Sequence, residues 1–304
     1  MYWIDNILCA TDFSRSSREA IRVAKFVAGK LDSTITLLYV DEYDQTSPGH
    51  FVKDEAQLAQ LHLNAQRFAE QEFSRIIQDL ELDPARTRTL VRFGAAYKEI
   101  VSEAEAGRHS MVVVAVHGIG CSSAHLIGRT AERVVRLCRV PVLTVRPRET
   151  FVPGIQAILC HTDFSEYGNY ALPYAISLAK RFHAKLIMLH VADLTTPDPQ
   201  LLRSRFPDLA MYHEQADEVV IERRVGRDVE PENTIVRIAE EEPVDLVVMG
   251  AHGARGLRRV QIGNTTEDVM RRVSMPVLSI THPIHKMIFP SRFREPSECK
   301  GQDS

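Results

Sequence analysis

The sequence predicts an α/β chain of two tandem domains, each a doubly wound parallel sheet with helices on both faces. The chain repeats itself at an offset of 151 residues: IDNILCATDFS at 4–14 returns as IQAILCHTDFS at 155–165, with eight of eleven positions identical. A period this long indicates a duplicated domain, because solenoid repeats are shorter. Within each half, short β-rich runs alternate with helical patterns, which is typical of a parallel sheet built from βαβ units.

The first half is predicted to begin with a strand and a capped helix. The apolar run Ile7–Ala10 ends in a polar turn at 11–14. Ser16 with Glu19 three residues later is typical of a capping box, which predicts the start of a helix. The predicted elements follow in the order strand 7–10, helix 16–29, strand 34–40, helix 54–80, strand 89–93, helix 97–106, strand 111–116, helix 130–138 and strand 141–145.

The second half repeats this pattern with one shortened segment. Val40 to Gly118 spans 78 residues, whereas Val191 to Gly253 spans 62, a deficit of sixteen residues or about four helical turns. The stretch 194–212 contains three prolines and looks like a broken version of the long helix. The other predicted elements are strand 156–160, helix 167–182, strand 185–191, strand 219–225, helix 232–241, strand 244–249, helix 265–273 and strand 276–280.

These elements define two expected domains, 1–147 and 154–282, followed by a tail over 283–304 that we expect to be disordered. Of the 304 residues, 44% are hydrophobic and 25% charged, which is typical of soluble globular chains. A net charge of −3 favours neither a nucleic-acid nor a membrane partner. No export signal, membrane-spanning run or paired cysteine spacing is recognisable, so we expect a cytoplasmic location.

The strongest candidate site is a glycine loop in the second half. Gly250 and Gly253 directly follow the aliphatic run DLVVM, and Gly263 stands nine residues later at the start of a predicted helix. Glycines let the main chain approach a ligand closely, and the unpaired N–H groups of a helix N-terminus attract phosphate. Asn264, Thr265 and Thr266 follow with polar side chains. The alternative is that the glycines only make an exit turn and that Asn264 or Thr265 only caps the helix.

The spacing G-x2-G-x9-G followed by a small polar residue resembles the ATP-binding signature of the universal stress protein family. ILCATDFS and ILCHTDFS, LLYV and MLHV, DLVVMGAHG, PVLTV and PVLSI extend the resemblance over nearly all of residues 1–282. The resemblance implies two Rossmann-like (HUP-type) α/β/α sandwiches, each with a five-stranded parallel sheet, and binding of ATP, ADP or AMP. The implied nucleotide-binding residues are Asp163, Val191, Met249, Gly250, Gly253, Gly263, Asn264 and Thr265.

Two features depart from the family pattern. Asn264 stands where the family usually has Ser or Thr, although an amide can still donate a hydrogen bond. In the first half, Ala115 replaces the first glycine and Arg129 takes the small polar position. We therefore expect a degenerate, empty first site, whose matching positions are Asp12, Val40, Gly118, Gly128, Arg129 and Thr130.

Other interpretations of the polar residues remain open at this point. Asp12 and Asp163 each follow a first strand, where an aspartate can simply cap the turn. His161, His190 and His252 gather near strand ends, but they come from different strands without the short spacing of a metal site, so we predict no metal. The GxxxxGK[ST], GxGxxG, HExxH and GxSxG patterns are absent, and no catalytic group is predicted beyond slow hydrolysis assisted by Asp163.

The fifth strands, PVLTV and PVLSI, are short apolar edges that tend to pair. In the family this strand joins domains antiparallel, which implies either pairing of the two halves or a homodimer. The leading hypothesis is a stress-response regulator that binds an adenine nucleotide in its second half and acts on an unidentified protein partner. The alternative is a tandem scaffold without a nucleotide that acts through protein contacts alone.

Overall fold

The structure is a computed structural model, and it describes residues 4–42, 55–118, 127–147, 154–196, 198–211, 216–251 and 263–281. In the first half the elements are β1 (Asn6–Thr11), α1 (Arg15–Leu31), β2 (Thr34–Asp41), α2 (Glu55–Asp79), β3 (Thr87–Phe93), α3 (Ala96–Ala106), β4 (Met111–Ala115), α4 (Arg129–Leu137) and β5 (Val142–Val145). In the second half they are β6 (Ala157–His161), α5 (Glu166–Asn169), α6 (Leu172–Phe182), β7 (Lys185–Ala192), β8 (Ile221–Arg227), α7 (Pro231–Glu241), β9 (Leu246–Gly250), α8 (Asn264–Arg272) and β10 (Val277–Ile280).

All ten strands belong to one sheet, in the order β3-β2-β1-β4-β5-β10-β9-β6-β7-β8. Within each half the strands are parallel, as the sequence predicts. The halves meet where β5 and β10 pair antiparallel, with Leu143 opposite Leu278. The predicted pairing of the two halves through their fifth strands is therefore confirmed within one chain.

The core lies in two layers, one on each face of the sheet. Along β1, Ile7 and Cys9 face the layer under α1, α2 and α6, whereas Leu8 faces the layer under α3, α4, α7 and α8. This alternation follows from the pleat of a strand, which turns successive side chains to opposite faces. In open parallel sheets of this kind, ligands bind at the carboxyl ends of the strands.

Two local expectations need correction. Helix α1 is capped by Ser14, whose side chain accepts from Ser17 N, so the predicted capping box of Ser16 and Glu19 is wrong. Glu19 instead pairs with Arg22. The continuous helix predicted over 167–182 is broken into α5 and α6, because Pro173 in the first turn of α6 has no N–H for a continuing helix.

The shortened segment of the second half does not form a helix like α2. Its described part contains short 3₁₀ turns at Pro199–Arg205, Leu209–Met211 and Ala216–Glu218, which agrees with the predicted broken version of the long helix. The expected tail over 283–304 lies outside the described residues. Within the described part, no helix is both long enough and apolar enough to cross a membrane.

Candidate functional site

The candidate site lies where β6, β7 and β9 end beside the start of α8. β6 is paired in parallel with both β7 and β9, so their carboxyl ends share one edge of the sheet. This edge brings together seven of the eight predicted residues, namely Asp163, Val191, Met249, Gly250, Gly263, Asn264 and Thr265. The eighth, Gly253, lies outside the described residues, as does His252.

Backbone hydrogen bonds fix the start of α8 against the end of β9. Ala251 N donates to Ile280 O at 2.8 Å, and Gly263 N donates back to Ala251 O at 2.9 Å. Thr266 Oγ1 donates to Gly250 O at 2.8 Å, which anchors the first turn of the helix. The first half keeps the same scaffold, since Gly128 N donates to Val116 O at 2.7 Å. The two halves therefore share this backbone hydrogen bond between the end of a strand and the start of the following helix.

No side chain among the described residues caps the N-terminus of α8, which starts after Gly263. The first N–H groups of a helix have no partner within the helix, and the helix dipole makes that end positive. Such an end binds anions, phosphates above all. The alternative that Asn264 or Thr265 caps the helix is not what the structure shows, because both belong to the helix itself.

Thr265 has a partner that the sequence did not reveal. Its hydroxyl donates to Glu232 Oε2 at 3.2 Å, from the first turn of α7. A carboxylate beside the N-terminus of α8 would repel a phosphate and compete with it for the Thr265 hydroxyl. Sequence reasoning missed Glu232 because the contact joins two helices that are 33 residues apart. No local pattern signals such a pair.

Asp163 holds the turn that follows β6. Its Oδ1 accepts from Ser165 N at 3.0 Å and from Ser165 Oγ. Phe164, the residue between them, has a φ of +62°, and the matching Phe13 has +63°. The turn-capping role that the sequence left open is therefore present, and the ligand role of Asp163 stays a prediction.

Gly168 makes room for that carboxylate and was not singled out from the sequence. A Cβ atom at this position would lie 2.3 Å from Asp163 Oδ1, well inside van der Waals contact. The matching residue of the first half is Ser17, whose hydroxyl lies 3.0 Å from Thr11 Oγ1. In the sequence, the role of Gly168 is indicated only by the difference between the repeats, a glycine where the first half has a serine.

His161 ends β6, and His190 lies near the end of β7. Burial lowers the pKa of His161 to about 4, although the nearby Asp163 opposes the shift. Burial also lowers the pKa of His190, whose Nδ1 lies 2.9 Å from Thr162 O and whose ring stacks on Phe164 at 3.9 Å. Within the described ranges, no group of three or more His, Cys, Asp or Glu side chains is arranged to hold a metal.

In the first half, Gly118 and Gly128 have little free space around them. Asp12 Oδ1 accepts from Ser14 N at 3.1 Å, and a Cβ atom added at Gly118 would lie 2.7 Å from Asp12 Oδ2. The carboxylate thus lies against the loop where a ligand would need space. Gly128 is also tight, since a Cβ there would lie 3.1 Å from Val116 O. Val40 is at the end of β2, while Arg129 and Thr130 begin α4, so all six positions lie at one edge.

Comparisons with known proteins point to one family for both halves of the chain. The model of the universal stress protein family matches residues 4–146 and 154–280. A universal stress protein of Synechocystis is 25% identical over 90% of this chain and 99% of its own length. One from Methanocaldococcus jannaschii is 31% identical over 41% of this chain and 82% of its own length. The crystal structure of a universal stress protein from Archaeoglobus fulgidus, 22% identical, superposes with a TM-score of 0.69 over 92% of this chain and 97% of that one, which shows the same fold.

Proposed function

The chain belongs to the universal stress protein family as a member with two tandem domains, and from this premise we propose that its second half binds an adenine nucleotide. The observation that carries the proposal is the uncapped start of α8 at Gly263, held against the end of β9. A phosphate group fits this position because main-chain N–H groups and the helix dipole both attract negative charge. The nucleotide is ATP, ADP or AMP.

The rest of the site would hold the sugar and base. Asp163 and the end of β7 at Val191 lie at the same sheet edge as the start of α8. His161 and His190 are neutral near pH 7, so they present ring nitrogens rather than positive charge. Uncharged imidazoles beside the Asp163 carboxylate suit an aromatic base and a ribose better than a phosphate. The family resemblance implies the same arrangement, with the base and ribose on the side of β6 and β7 and the phosphates on the side of α8.

The proposed role is regulatory. Nucleotide binding would stabilise one arrangement of the loop between Gly250 and Gly263 and so change the association with a protein partner. A cytoplasmic location is part of the proposal. Cys9, Cys138 and Cys160 are buried and free in the described part of the chain, which suits a reducing compartment.

One alternative has its own support: a tandem scaffold that acts through protein contacts without a nucleotide. Glu232 holds the Thr265 hydroxyl, and Asp163 already caps a turn. Both residues have structural partners without any ligand. The two functions differ in whether the purified protein carries or binds a nucleotide.

Mass spectrometry of small molecules released from the denatured protein separates the two functions. We expect the wild-type protein to release an adenine nucleotide and Gly263→Val to release none. Gly263 has φ −57° and ψ 134°, backbone angles that valine can adopt, and the added side chain would stand where the ligand is proposed to approach.

Gly154→Val is the matched control, because a Cβ at Gly154 has no neighbour within 4 Å among the described residues. It should keep the nucleotide. A wild-type protein that releases no nucleotide and does not bind added ATP, ADP or AMP would refute the proposed nucleotide binding and leave the scaffold as the remaining function.

A further inference from the structure

Arg146 crosses the boundary between the two halves. It directly follows β5 in the first half, and its guanidinium reaches the last turn of α8 in the second half. Nε donates to Val273 O at 3.2 Å, and Nη2 donates to Met270 O at 3.1 Å and to Arg271 O. One side chain thus bonds three carbonyl groups at the end of α8.

These carbonyls are the groups that a helix cannot satisfy internally. The last four C=O groups of a helix lack intrahelical partners, and the C-terminal end of the helix dipole is negative. A guanidinium can bond these carbonyl groups and offset the negative end of the dipole, because it is always charged and donates several hydrogen bonds from one rigid plane. Arg146 therefore holds the C-terminal end of the helix whose N-terminal end is the proposed phosphate site.

The same guanidinium also contacts the glycine loop of the first half. Arg146 Nη1 lies 3.0 Å from His117 Nε2. A guanidinium only donates, so His117 Nε2 accepts and carries no proton. His117 is adjacent to Gly118, where the carboxylate of Asp12 lies close to the main chain. Arg146 thus joins the loop of the first site to α8 of the second.

The second half does not repeat the residue that makes this link. Aligning PVLTVR at 141–146 with PVLSIT at 276–281 places Thr281 where the first half has Arg146. Threonine has no charge and a single hydroxyl, so it cannot bond three carbonyls and a histidine. The asymmetry follows that of the two loops, since the first half departs further from the nucleotide signature, at Ala115 and Arg129, than the second half, which departs at Asn264 alone.

We propose that Arg146 is a positioning residue that couples the His117 loop of the first half to the nucleotide site of the second half. This inference rests on the proposed function. A change at His117, by a ligand or a protein partner of the first half, alters the hold of Arg146 on α8 and so the affinity of the second site. By linkage, nucleotide in the second site alters the affinity of the first half for its partner to the same degree.

The first test is calorimetric titration of ATP into the full chain and its variants. Arg146→Thr, which installs the residue of the other half, should weaken ATP binding about tenfold, a typical coupling of about 1.4 kcal/mol. Arg146→Lys keeps the charge but not the planar fork, so it should restore part of the affinity. Arg139→Thr is the control: Arg139 also lies in the first half, exposed and 3.4 Å from Glu105, and its loss should leave ATP binding unchanged.

His117→Ala makes the test specific for coupling rather than stability. The substitution leaves Arg146 bonded to α8, yet we expect it to weaken ATP binding about threefold. In the double variant with Arg146→Thr, His117→Ala should cause no further loss of affinity. Full additivity of the two substitutions would overturn the proposal. Wild-type ATP affinity in His117→Ala would also overturn the proposal. This result can be obtained even if Arg146→Thr does not fold.

Hydrogen exchange keeps this test separate from the proposed function. Arg146→Thr and His117→Ala should both speed amide exchange in α8, whether or not nucleotide is present. If the wild-type protein binds no nucleotide, the proposed function fails, and faster α8 exchange in His117→Ala still supports the link between the halves. Unchanged α8 exchange in both variants would refute it.

Discussion

At the scale of single residues, the site depends on groups that already have partners in the protein. Asp163 bonds Ser165, Thr265 bonds Glu232, and His190 lies against Thr162 O. Each of these contacts orders a side chain at the edge of the sheet before a ligand arrives. Preordered side chains bind with less loss of conformational entropy, but a ligand must then match or displace their existing partners.

His161 should make the protein sensitive to acid. Its pKa is about 4 in the folded state and near 6.5 in an unfolded chain, so between these values the unfolded state binds more protons. Stability from this group is therefore complete above about pH 6.5 and is lost as the pH falls toward 4, by an amount on the order of 2–3 kcal/mol.

The measurement is urea unfolding of the wild-type protein and His161→Ala from pH 7.5 to pH 4.5. Alanine is the residue that the first half has at the matching Ala10, so the variant suits this position of the fold. The free energy of unfolding of His161→Ala should fall less steeply with acid. Equal slopes for the two proteins would show that His161 is not the group responsible.

Glu232 should restrict which nucleotides bind well. Glu232→Gln removes a negative charge beside Thr265, and we expect ATP to bind about fivefold more tightly and AMP about twofold, because ATP carries more charge. Calorimetric titration of both nucleotides measures the difference. Glu230→Gln is the control, since Glu230 bonds Asn233 at the exposed start of the same helix. An equal gain for ATP and AMP would contradict a charge effect at the phosphates.

Residue-level prediction from the sequence succeeded where the signal is local. The glycine before α8 and the aspartate after β6 were placed correctly at one edge, because strand ends and helix starts can be read from short windows. Glu232 and Arg146 were missed because their roles depend on contacts between distant segments. The helix cap at Ser14 was placed two residues too late for a different reason, since several serines compete there.

At the scale of elements, Gly168 tests how tightly α5 packs on the turn after β6. Gly168→Ala should destabilise the protein by about 1–3 kcal/mol, because its Cβ would lie 2.3 Å from Asp163 Oδ1 and the turn would have to move. Gly29→Ala is the matched control in α1, where a Cβ has no neighbour within 4 Å among the described residues. Alanine favours a helix, so this control should be neutral or slightly stabilising.

Urea unfolding of both variants checks this pair. A Gly168→Ala protein as stable as the wild type would mean that the Asp163 turn is loose. The turn after β6 that contains Asp163 would then not be held in place before a ligand binds.

The strands were the easiest elements to predict and the irregular segment the hardest. Aliphatic runs such as Met111–Ala115 and Leu246–Gly250 have few alternatives to a buried strand, and they lie within one or two residues of the predicted bounds. The α5/α6 break depends on a single proline, whose effect on a strongly helical pattern was underestimated. The 3₁₀ turns after β7 have no periodic pattern that a sequence window can detect.

At the scale of the whole molecule, the pairing of β5 with β10 turns two sheets into one. The sequence left pairing within the chain and dimerisation open, because an unprotected edge strand pairs with any available edge. The structure places β10 on β5, and Phe26 of α1 stacks on Phe182 of α6 with ring centroids 5.8 Å apart. Thr144 Oγ1 also donates to Val277 O at 3.2 Å. These contacts hold the two chemically different halves together, which the proposed coupling through Arg146 requires.

The most direct test of the central claim is a crystal structure of the full chain grown with excess ATP and Mg²⁺. We predict density for a phosphate group against the N–H groups at the start of α8, next to Gly263, with the base on the side of Asp163 and Val191. A second half whose crevice stays filled by the protein's own side chains, or a nucleotide bound only in the first half, would contradict the proposed function.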